Sequence, residues 1–127
     1  MLIEEYYQAQ LTVVLGSPCV HSYDVALGKR GSGLGLIRGE VQFVDGSLLY
    51  YRELVDLEAE PVRVMYSYHY QRSDASLIFR YDDTRHHPDL PGFPHHKHLA
   101  RELNVIAAEP PELSAVLREI EDLLGTS

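Results

Sequence analysis

A chain of 127 residues, 45% apolar and 24% charged, has the size and composition of one folded domain and is neither fibrous nor disordered in character. A net charge of −8 argues against a protein that binds phosphate over its whole surface, so an anionic ligand would need a local exception to the acidic body. The lone Cys19 cannot close an internal disulfide, and with no charged-then-apolar leader or run of roughly 18 apolar residues the expectation is a cytoplasmic protein without a membrane partner.

Residues 2–15, LIEEYYQAQLTVVL, place Ile3, Tyr7, Leu11, Val14 and Leu15 on one helical stripe, and the Gly-Ser-Pro that follows stops the helix. Residues 20–28 alternate as a strand does. The glycine-rich GKRGSGLG after them lacks the spacing of a phosphate-binding loop. Residues 36–57 are the clearest hairpin, two β-rich runs joined at Asp45-Gly46, a pair suited to a two-residue type I′ turn. Counting outward from that turn pairs Phe43 with Leu48, Val41 with Tyr50 and Ile37 with Leu54 on a core face, and sets Arg38 against Glu53 on the polar face. A second hairpin joins 62–71 to 76–82 and gathers Tyr66, Tyr68 and Tyr70 on the core side, with His69, Arg80 and Asp82 on the other.

Pro88, Pro91 and Pro94 forbid a regular element until about His95, which leaves a stiff loop closing in a short helical turn over His95–Leu103. Residues 104–108 can form an edge strand. Residues 109–124 are an amphipathic helix whose buried stripe is Leu113, Val116, Leu117, Ile120 and Leu124. The expected fold is a single α+β domain over 1–127: an antiparallel sheet of about five or six strands built from two hairpins, with the N- and C-terminal helices packed on one face.

The stretch RHHPDLPGFPHHKHL holds five of the seven histidines, and it is the chain's one cationic island. Between residues 78 and 101, four cations (Arg80, Arg85, Lys97, Arg101) outnumber three acids (Asp82, Asp83, Asp89), whereas the remainder carries seven cations and sixteen acids. Metal binding is one reading of these imidazoles. No cysteine accompanies them and no His-x-x-x-His pair is present, so the expectation is that no metal or other cofactor is used.

YHYQ (Tyr68 to Gln71), FRYDDTRHHPDLPGFPHHKH (Phe79 to His98) and DGSLLYYRELVD (Asp45 to Asp56) together resemble the TumE family of toxins from prokaryotic toxin–antitoxin systems, over about residues 35–124. Where many such proteins read Asn-Ala-Pro, this chain has Asp83-Thr84-Arg85. The resemblance implies a toxin acting on RNA, with a cognate antitoxin protein as partner; homodimerisation is left open.

Cleavage of an RNA phosphodiester without metal needs one imidazole to take the 2′-hydroxyl proton, a second to protonate the leaving oxygen, and a cation for the developing charge. The catalytic candidates are His69, Arg80, Asp82, His86, His87, His95, His96 and His98, with Arg85 and Lys97 as phosphate contacts. In this scheme His69 and a loop histidine such as His96 are the acid–base pair, Arg80 stabilises charge and Asp82 orients imidazole. The two histidines meet only if the loop folds back over the second hairpin. Two other functions compete: a non-enzymatic module that binds nucleic acid or protein, and a metal-dependent hydrolase with histidine ligands.

Overall fold

The computed structural model describes residues 1–125. The chain runs α1 (Ile3–Leu15), β1 (Val20–Lys29), β2 (Leu34–Phe43), β3 (Leu48–Asp56), β4 (Arg63–Gln71), β5 (Leu77–Asp82), β6 (His96–Leu99), β7 (Val105–Ala107) and α2 (Leu113–Leu123). The strands form one antiparallel sheet in the order β1 to β7, so every strand pairs with its neighbour in sequence. The α+β architecture matches expectation, with a seventh strand in place of the helical turn expected over His95–Leu103. The pleat explains that strand: His96 and His98 lie buried while Lys97 and Leu99 alternate with them, and the backbone pairs with β5 from Asp82↔His96 to Phe79↔Leu99.

Both helices lie on one face. Tyr6 and Tyr7 of α1 donate hydroxyl hydrogen bonds to Glu53 Oε1 and to the carbonyl of Val25, each at 2.6 Å. From the side of α2, Glu119 accepts from Tyr81 and from Lys97, also at 2.6 Å each. Between the layers lie Ile37, Val41, Phe43, Leu49, Tyr51, Val55, Tyr68, Tyr70 and Phe79 of the sheet, closed by Ile3, Val14, Leu113, Val116, Leu117 and Ile120 of the helices. Tyr51 crosses its neighbouring strand so closely that a β-carbon at Gly39 would stand 2.0 Å from its ring, so only glycine fits at that position. Among the described residues no helix is long and apolar enough to cross a membrane.

The turn between β2 and β3 departs from the expected one. Gly46 takes φ +86° and its N–H bonds the carbonyl of Phe43 at 3.0 Å, while Phe43 N–H bonds the carbonyl of Ser47 at 2.9 Å. That is a three-residue loop with a left-handed glycine rather than a two-residue type I′ turn. The register therefore moves by one, to Val41↔Leu49, Glu40↔Tyr50 and Ile37↔Glu53. Because side chains alternate, the slip turns all of β3 over: Tyr50 and Arg52 become exposed, and Glu53 enters the core. The second hairpin slides by two residues, to Tyr70↔Phe79 and Tyr68↔Tyr81, through a bulge beside Gln71. An even slip preserves the faces, so the tyrosine row is core as expected.

Candidate nucleic-acid interface

The face of the sheet without helices carries two cross-strand rows. One runs Asp24, Glu40, Tyr50, His69, Arg80, His98; the other runs Ala26, Arg38, Arg52, Ser67, Asp82, His96. Every member is paired with the next through the register. A groove of about 590 Å³ crosses the rows, lined among others by Arg38, Glu40, Tyr50, Arg52, His69 and Arg80. A second hollow of about 400 Å³ continues from Arg52, Ser67 and Arg80 to Asp82, His86 and His98.

Arg38 and Arg52 are a directly opposed pair on β2 and β3. Both are exposed, and neither forms a hydrogen bond or ion pair among the described residues. Like charges directly opposite in a sheet are destabilising by a few tenths of a kcal/mol up to about 1. Beside them His69 Nε2 lies 3.0 Å from Gln71 Oε1, and its ring is tilted against Tyr50 at 6.4 Å. Sequence reasoning missed Arg52 and Tyr50 because the assumed type I′ register placed Tyr50 inside and gave Arg38 an acid across the ladder.

The histidine segment divides between the two faces. His96 and His98 project onto the open face opposite Asp82 and Arg80. His87 of the preceding loop closes over them, its ring 4.9 Å from that of His96 and 6.0 Å from that of His98. The His69 strand is separated from β6 by Arg80 on β5, so the expected acid–base pair of His69 with His96 is not brought into contact. His95 turns to the helix side, where Nδ1 lies 3.0 Å from the Tyr66 hydroxyl and the rings stack. His86 is exposed at the rim of the second hollow.

The cations of this region are mostly engaged. Arg80 donates from Nε to Asp82 Oδ2 at 3.1 Å and grips both Glu102 carboxylate oxygens with its remaining nitrogens. Lys97 points to the helix side, paired with Glu119 and 4.7 Å from the Tyr81 ring centre. Arg85 is exposed, with its guanidinium over Phe93. These contacts make Arg80 a bridge between elements and Lys97 part of the α2 packing, whereas Arg38 and Arg52 are left facing the groove.

Asp82 is the hub of the histidine end. Burial pushes its carboxyl up, but hydrogen bonds from the Thr84 hydroxyl and N–H, with His96 and Arg80 beside it, more than reverse this and hold it below the usual carboxylate range. His87 is held below the ordinary imidazole value by desolvation and then by the neighbouring His96 and His98.

On the opposite face Glu53, wholly buried, accepts from the Tyr6 and Tyr68 hydroxyls at 2.6 Å each. Arg63 in turn donates to the Tyr68 hydroxyl. Glu53, Tyr6 and Arg63 line a separate cavity of about 400 Å³ between the helices and the sheet. A buried acid so satisfied is an internal strut.

The family model described as toxin TumE matches residues 10–124, nearly the whole chain. No curated protein and no solved structure matches it.

Proposed function

The chain belongs to the TumE toxin family, and from that premise we propose that this toxin component of a toxin–antitoxin system acts on RNA as an endoribonuclease, with the strand lying in the groove across the helix-free face of the sheet. The observation that carries the reading is the opposed Arg38 and Arg52 pair at the groove floor, two exposed guanidiniums without an acid partner among the described residues. A phosphodiester between them relieves their mutual repulsion and is held by planar donor forks. Tyr50 and His69 beside them offer faces on which an unstacked base can rest. Asp24 and Glu40 make the β1 end of the groove acidic, so the backbone is favoured toward β3 and β4.

In the cleavage step His69 removes the proton from a 2′-hydroxyl, the resulting oxygen attacks the adjacent phosphorus, and the 5′-oxygen departs with a proton from a second acid at the His86 end of the groove. The products are a 2′,3′-cyclic phosphate and a 5′-hydroxyl. The separation of His69 from His96 favours one second reading, a surface that binds RNA without cutting it. Incubating purified protein with end-labelled single-stranded RNA tests both. Cleavage lost in His69→Ala supports the enzyme. Retention on the wild type without cleavage, lost in Arg52→Glu, supports the binding module. RNA that is neither bound nor cut overturns both.

A further inference from the structure

His87, His96 and His98 are arranged in a way that RNA binding does not require. We propose that these three imidazoles form a site for one divalent transition-metal ion of the zinc class, with the Asp82 carboxylate beside it as balancing negative charge. The inference goes beyond the RNA reading and does not rest on it.

The first ground is convergence. One ring nitrogen from each histidine lies within 4.8 Å of the others. A tetrahedral zinc ion, with nitrogens at about 2.0–2.1 Å, holds its ligands about 3.3 Å apart, so small side-chain rotations close the remaining gap. Strand geometry supplies two of the ligands, because residues 96 and 98 on β6 share one side of the pleat. The proline-stiffened loop supplies the third. The sequence has no pair of histidines four residues apart; the two-residue spacing of His96 and His98 belongs to a strand.

The second ground is the fixed tautomer. His96 Nδ1 lies 2.9 Å from the carbonyl oxygen of Pro94, and His98 Nδ1 lies 2.8 Å from that of Glu102. A carbonyl only accepts, so both Nδ1 atoms carry hydrogen. In the neutral rings the Nε2 atoms then carry the lone pairs, and both lie on the Asp82 side, 2.9 and 3.7 Å from its carboxylate oxygens. Metal-ligating histidines are commonly held this way, the outer N–H on a carbonyl or carboxylate and the inner nitrogen bare.

The third ground is an orphan. His96 is 1% exposed, yet its Nε2 makes no hydrogen bond. Asp82 Oδ1 stands 2.9 Å away, in range but off the line that an N–H would take. A protonated His96 bonded to Asp82 would satisfy that nitrogen only with the hydrogen aimed at the oxygen. A metal ion bound to that nitrogen would satisfy its lone pair and be offset by the Asp82 carboxylate beside it. His98 Nε2 is 3.7 Å from Asp82 Oδ2, on the same side. An all-imidazole set beside one carboxylate suits zinc and its transition-metal neighbours and not magnesium or calcium, which take oxygen ligands. His87 is only half buried, so the side of the site that it closes can admit a water as a further ligand.

Untagged full-length protein, stripped by a chelator and titrated with zinc chloride against a coloured competing chelator, tests the site without RNA. One zinc ion per chain is expected. His87→Ala, His96→Ala and His98→Ala should each weaken binding by more than about 100-fold, since even outer-shell partners of such sites cost 10–100-fold. His21→Ala and His69→Ala should bind as the wild type does. His87 lies on a loop outside the core, so its variant keeps the test decisive if the buried substitutions impair folding. Wild-type protein that takes up no stoichiometric zinc, or a folded His87→Ala protein that binds it with wild-type affinity, overturns the proposal. Because no RNA is present, that failure leaves the RNA reading standing, and a failure of RNA cleavage leaves the metal site standing.

Discussion

Arg38 and Arg52 face one another directly across β2 and β3 on the helix-free side of the sheet. On the proposed reading the arrangement costs stability and holds a phosphate, so the two effects separate in one variant. Arg52→Gln should raise unfolding free energy by up to about 0.5 kcal/mol in a urea titration, because the like-charge pair is removed. The same protein should bind single-stranded RNA more weakly, and the slope of log affinity against log salt should fall by about 0.7, one phosphate contact fewer. A variant less stable than the wild type, with unchanged salt dependence, contradicts the account of this pair.

Glu53 is the polar strut of the opposite face. Its carboxylate holds the Tyr6 hydroxyl of α1 and the Tyr68 hydroxyl of β4 at once. Glu53→Ala leaves both hydroxyls without their acceptor and should cost about 3 kcal/mol, whereas Tyr6→Phe should cost about 1. Chemical denaturation checks both values. A double-mutant cycle between positions 6 and 53 should show coupling, because the residues share one hydrogen bond.

The fate of Glu53 shows what could be read in the sequence. The period-two alternation of β2, β3 and β4, the tyrosine row and the α2 stripe were legible because burial imposes them, whereas the α1 stripe was only partly so: Leu15 at the end of the helix is exposed and Gln10 is buried in its place. The register of the first hairpin was not. Asp45-Gly46 suits both a two-residue turn and the three-residue loop found, and a one-residue difference decides whether Tyr50 or Tyr51 is inside. The second hairpin tolerated a two-residue error because an even slip leaves the faces alone. Strand β6 stayed hidden for a different reason. Four residues that follow a run of prolines carry too short an alternation to read, and only the free edge of β5 makes a strand of His96–Leu99. Arg80 and Asp82 were therefore placed on one face from the sequence, while the strand that brings His96 and His98 to that face was not legible.

The tyrosine core gives a pH prediction. Burial, helped by Glu53, raises the hydroxyls of Tyr6, Tyr51 and Tyr68 above the ordinary tyrosine range, and burial with Asp83 does the same for Tyr66. A raised folded-state value means that the folded protein keeps these protons after the unfolded chain has lost them. The associated stability is whole below the unfolded value near 10 and is lost as pH rises toward the folded values. Urea midpoints should show no loss from tyrosine ionisation below about pH 9.5 and fall above about pH 10. Absorbance at the tyrosinate band should show these four ionising together with unfolding; their smooth titration in a folded protein would contradict the assignment.

Growth arrest on induced expression tests most directly whether the helix-free face is the working surface. Three variants decide it: Arg38→Gln combined with Arg52→Gln, His69→Ala, and Arg118→Gln as a control that removes an exposed cation from α2. Melting of each purified protein is measured beside the growth curves, since substitutions at such exposed or polar sites usually stay within about 0.5 kcal/mol. The expected result is loss of arrest for the first two at or slightly above the wild-type melting temperature, with Arg118→Gln fully toxic. A double arginine variant and a His69→Ala protein that arrest growth as the wild type does would place the activity elsewhere on the molecule.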